Sequence, residues 1–64
     1  MTTHVMIGAV LYANDETILL SDGTVFAGPA WMRLPHFPVG TSLVIEYEVV
    51  EGRNILVALP QVRV

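Results

Sequence analysis

His4 and His36 are the only side chains in this 64-residue chain whose ordinary pKa lies near neutrality, and cysteine is absent. Nucleophilic attack, proton transfer and metal ligation need such groups beside a positioned partner. The two histidines lack the i, i+2 or i, i+4 spacing that would place two metal ligands on one element. Ser21 stands at a turn and Ser42 at a strand start, where serine serves the backbone, and no G-x-S-x-G motif frames either. Glu46 and Glu48, two apart, share one face of a strand as a carboxylate pair would. The same spacing also describes a solvated outer face whose charges discourage aggregation. These residues lead us to expect no enzyme, no metal site and no cofactor.

The charge count excludes another class. Arg33, Arg53 and Arg63 are the only fixed cations, there is no lysine, and six carboxylates bring the net charge to −3. Nucleic-acid binders draw most of their affinity from a basic face, which three scattered arginines do not make. A composition 53% hydrophobic and 14% charged is that of a folded domain rather than a disordered tail. No apolar run approaches the roughly 18 residues of a membrane-spanning helix, so no membrane partner is expected. Met1-Thr-Thr-His4 lacks the positive charge that begins a signal peptide, which predicts a cytoplasmic address.

Residues 1–64 make one domain, and a small one. A chain of this length buries only about 60% of its unfolded surface, and such domains usually add a disulfide, a metal or a partner. Without cysteine or good ligands, a homo-oligomer or a protein partner is the supplement to expect.

The elements follow from the turns. Asn14-Asp15, Asp22-Gly23, the stretch from Gly28-Pro29 to Gly40, and Gly52-Arg53 separate runs rich in Val, Ile, Leu, Thr and Tyr. Short strands at such spacing predict an all-β fold: a five-stranded antiparallel small barrel. The strands fall near residues 4–13, 16–21, 24–28, 42–50 and 55–60. Asp22-Gly23 as a two-residue turn pairs Leu20 with Val25 and Leu19 with Phe26. Asn14-Asp15 then pairs Leu11 with Ile18. Together these give a core face of Val5, Ile7, Ala9, Leu11, Ile18, Leu20, Val25 and Ala27. Gly8 reads as a bulge or bend in the first strand. Gly52-Arg53 as a type II′ turn pairs Val49 with Leu56 and Leu43 with Val62. A second core face follows: Leu43, Ile45, Tyr47, Val49, Leu56, Ala58 and Val62.

Between the third and fourth strands, Pro29 opens and Pro35 closes one helical turn, near residues 30–34. It places Trp31, Met32 and Leu34 over the barrel end, as a plug.

Several motifs carry a resemblance. Gly8-Ala-Val, Ile18-Leu-Leu-Ser-Asp-Gly-Thr-Val25, Val39-Gly-Thr-Ser-Leu-Val44 and Tyr47-Glu-Val-Val-Glu-Gly52 are similar to a family of short bacterial domains of unknown function. The whole pattern resembles an OB- or SH3-like small barrel. The resemblance spans about 50 residues, rests on β-turn chemistry, and implies no catalytic residues.

Two functions are compatible with these observations. The first is a structural or protein-interaction module that self-associates or docks on a protein partner. The predicted registers turn Val10, Leu19 and Phe26 outward across the first three strands, with Val44, Val57 and Leu59 on the second hairpin. A contiguous apolar patch of that kind marks an interface. In the competing reading a bulge at Gly8 flips these residues into the core. The second function is a ligand-binding barrel, for a small molecule or single-stranded nucleic acid, using Trp31, Met32, Arg33, His36 and Phe37.

Overall fold

The computed structural model describes residues 2–63. Six strands form: β1 (His4–Ala13), β2 (Thr17–Leu20), β3 (Val25–Ala27), β4 (Ser42–Val50), β5 (Arg53–Leu56) and β6 (Gln61–Val62). Five of them close a ring in the order β1-β2-β3-β5-β4 and back to β1, and β6 pairs with β4 beyond β5. The fold is an all-β small closed barrel of five strands, which is consistent with the OB- or SH3-like pattern. Closure depends on the length of β1. Its first six residues pair with β4, from His4 with Tyr47 to Ala9 with Ser42, and its last four serve β2.

The sequence led us to expect a wholly antiparallel barrel, and the closure departs from that. β3 and β5 run parallel, meeting at Ala27 and Ile55, and the Asn54 side-chain amide donates to the Val25 carbonyl at 3.2 Å.

The helical turn near residues 30–34 is replaced by a single β-turn, in which the Met32 N–H donates to the Pro29 carbonyl at 2.9 Å. The backbone donors that would have continued a helix are used elsewhere. Leu34 N–H goes to the Asp15 carbonyl, and ahead of the turn the Gly28 N–H goes to the Glu16 carbonyl, so both ends of the segment are tied to the β1–β2 turn. The expected fifth strand breaks as well. The strand ends at Leu56, with one more bond from the Val57 N–H to the Glu46 carbonyl, and pairing resumes at Gln61 after the buried Pro60, which has no N–H to give.

The expected registers of all three hairpins are corrected. The loop after β2 holds three residues, Ser21-Asp22-Gly23, with Gly23 at φ +92° and its N–H bonded to the Leu20 carbonyl. Leu19 therefore pairs with Val25 and Ile18 with Phe26. One residue of slip exchanges the faces: Phe26 is fully buried, while Val25 is 50% exposed. In β1 the bulge falls at Leu11, between the Val10–Leu20 and Tyr12–Leu19 pairs, and not at Gly8, so Ile18 pairs with Ala13 and not with Leu11 as expected. Met6, Gly8 and Val10 consequently face inward, and Val5, Ile7, Ala9 and Leu11 face outward, the reverse of the expectation.

The second hairpin keeps its face. Glu51 (φ +51°) and Gly52 (φ +77°) form its two-residue turn, so Val50 pairs with Arg53 and Tyr47 with Leu56. The shift from the expected register is two residues, which preserves alternation, and Leu43 pairs with Val62 as expected. Val49 and Val62 lie at strand ends and stay exposed.

The core comprises Val10, Ile18, Leu20, Phe26, Met32, Leu34, Phe37, Leu43, Ile45 and Leu56, with Met6, Ala13 and Tyr47 packed against it. Phe26 meets Tyr47 edge-on, with ring centroids 5.0 Å apart. No polar or charged side chain is buried among the described residues.

Candidate interaction surface

The groups capable of chemistry are dispersed. His4 is exposed at one end of β1 and stacks on Tyr47, centroids 5.4 Å apart, while His36 is exposed in the loop before β4. Ser21 is exposed in the β2–β3 loop, and Ser42 is half-buried where β4 begins. Among the described residues no three His, Asp or Glu side chains gather as metal ligands would. Glu46 and Glu48 do share the outer face of β4, where Val5 pairs with Glu46 and Ile55 with Glu48.

One carboxylate is perturbed, for a local reason. The Thr24 N–H donates to Asp22 Oδ1 at 2.9 Å and holds this acid below its usual pKa of 3.8. This is turn chemistry. Asn14 does the same work in the β1–β2 turn, its Oδ1 accepting from the N–H groups of Glu16 and Thr17.

The loop from Gly28 to Thr41 divides into two functions. Met32, Leu34 and Phe37 are buried against the core and plug the barrel mouth. Trp31, expected in the plug with Met32 and Leu34, is instead 75% exposed, and Phe37 takes its place; Arg33 and His36 are also exposed. Arg33 bonds Asp15 at 2.7 Å in a solvent-exposed pair. Of the residues expected to hold a ligand, only Trp31, Arg33 and His36 therefore reach solvent. A cleft of about 440 Å³ lies instead between the two hairpin turns, lined by Gly23, Thr24, Val25, Ala27, Gly52, Arg53 and Asn54. Its one cation is Arg53.

The other feature is the outer apolar surface. Of the residues expected there, Val10 and Phe26 are buried in the core, because the bulge at Leu11 and the three-residue loop turn them inward. Leu19, Val44 and Val57 are half-buried, and Leu59 is exposed. An apolar row does cross β1, β2 and β3, but it consists of Tyr12, Leu19 and Val25. It meets a longer stripe that runs along β1. Val5 is 63% exposed, Ile7 49% and Leu11 50%, with Ala9 half-buried between them. Val44 flanks Ile7 on the neighbouring strand. In the sequence the stripe is an alternation of apolar residues, a pattern that predicts a core face, and the structure corrects that prediction.

Compared with protein-family models, curated proteins and solved structures, the chain matches none. Fold and surface define a small closed β-barrel with an apolar outer stripe. No helix among the described residues is long and apolar enough to cross a membrane.

Proposed function

We propose that this chain is a non-catalytic protein-interaction module, a small barrel that self-associates or docks on a protein partner through the outer face of β1. One observation carries the reading. An antiparallel strand with one face in water normally alternates apolar inward and polar outward. From Val5 to Tyr12, β1 has no polar outward position except the Tyr12 hydroxyl, and the whole strand has no Asp, Glu, Lys or Arg. Its outward set, Val5, Ile7, Ala9 and Leu11, is at least as apolar as its inward set, Met6, Gly8 and Val10. Each Å² of such surface removed from water contributes about 25 cal/mol before association costs, which supplements a core of this size.

Light scattering tests the proposal. The wild type is expected well above its chain mass of 7.0 kDa, and Ile7→Lys is expected to be folded and monomeric. A wild type that stays monomeric to millimolar concentration overturns self-association, and an Ile7→Lys variant of unchanged mass removes β1 from the contact.

The exposure of Trp31 supports a second reading, a ligand-binding loop. Trp31 is the only tryptophan, so its fluorescence reports a titration directly. A saturable change with a single-stranded oligonucleotide at low salt would favour that reading over the first.

A further inference from the structure

The charges bordering the β1 face bear on what covers it. Outward side chains there fall into three rows. Val5, Glu46 and Val57 form the first, since Val5 pairs with Glu46 and the Val57 N–H donates to the Glu46 carbonyl at 3.1 Å. Ile7, Val44 and Gln61 form the second. Ala9, Ser42 and Arg63 form the third, the Arg63 N–H donating to the Ser42 carbonyl at 2.8 Å. With Glu48 one row further along the same face of β4, Glu46 and Arg63 thus border opposite ends of a patch centred on Ile7 and Val44. Both are exposed, and neither takes part in an ion pair among the described residues.

Two copies packed face to face by a two-fold axis lying in the contact plane have two simple choices. An axis along the strands leaves Glu46 of both copies at the same end, where like charges oppose association. An axis across the strands, through the row of Ile7 and Val44, exchanges the ends. Glu46 of each copy then lies over Ser42 of the other, one strand spacing of about 4.8 Å from Arg63. Ile7 and Val44 meet their own counterparts. Only the second choice is complementary to itself.

We propose, resting on the reading of β1 as the contact face, that the occupant is a second copy of this chain, docked antiparallel so that Glu46 of each copy pairs with Arg63 of the other. The apolar rows supply affinity, and the charges fix the orientation.

Sedimentation equilibrium on the full chain tests this with Glu46→Arg, Arg63→Glu and the two combined. Both positions are exposed, and an unchanged circular dichroism spectrum confirms folding. Each single reversal turns two attractive pairs repulsive and is expected to weaken the dimer roughly tenfold. The combined variant restores it to within about threefold of wild type, a recovery expected only if the two sites couple. Singles without effect, or a double no better than the singles, overturn the proposal. If Ile7→Lys still abolishes association in that case, the β1 contact stands and only this arrangement falls. A monomeric wild type overturns this proposal and self-association with it, leaving a protein partner as the occupant of β1.

Discussion

Gly8 and Leu20 share one space: a Cβ built on Gly8 would lie 2.6 Å from Leu20 Cδ1. Leu20 is fully buried, so its side chain has little room to retreat. The glycine is there for close packing across β1 and β2, and its backbone pairs regularly with Leu43 of β4. Gly8→Ala should lower stability by about 1–3 kcal/mol, the cost of overpacking a core. A second change, Leu20→Val, should recover part of that loss, giving a double variant less destabilised than the sum. Urea denaturation of the four proteins measures both effects.

The three-residue loop after β2 predicts opposite fates for adjacent residues. Phe26→Ala should cost about 3–5 kcal/mol, enough to unfold a domain of this size. Val25→Ala, on the outer face, should cost well under half of that. Equal losses at the two positions would contradict the observed register.

Glu51 adopts a left-handed conformation, φ +51°, in the β4–β5 turn. Asn-Gly is the preferred pair for such a turn, because asparagine tolerates positive φ better than glutamate. Glu51→Asn should therefore raise stability by about 0.5–1 kcal/mol, read as a shift in the urea midpoint at constant slope.

Asp22 makes the β2–β3 loop sensitive to acid. The Thr24 N–H favours the carboxylate, so the folded-state pKa lies below the ordinary 3.8. The stabilisation is complete above the unfolded pKa and is lost as pH falls through the folded one. A carbon-detected NMR titration should give a midpoint below 3.8 for Asp22. Asp22→Ala should flatten the decline in stability that the wild type shows through that acid range.

The fold class and the places where the chain turns were legible in the sequence, because Asx side chains and glycine announce themselves locally; the length and register of each turn were not. The faces were less so. At Asp22-Gly23 a two-residue and a three-residue loop use the same residues, yet one residue decides whether Phe26 or Val25 is core. In β1 both alternate sets are apolar, so hydrophobic pattern could not orient the strand. The deciding contacts are long-range: Leu20 over Gly8, and the bulge at Leu11 that lets β1 serve both β4 and β2. The second hairpin survived its misplaced turn because a shift of two leaves every side chain on its own face. The candidate surface was hidden for the same reason. Val5, Ile7, Ala9 and Leu11 read as core until the structure turned them outward.

The most direct measurement is an isotope-filtered NOE experiment on a mixture of labelled and unlabelled chains, which sees only contacts between copies. The antiparallel β1 pairing predicts intermolecular NOEs among the methyl groups of Ile7 and Val44, centred on the proposed axis. Intermolecular NOEs confined to other faces, such as the loop around Trp31, or none at concentrations where the wild type sediments as a dimer, would contradict it.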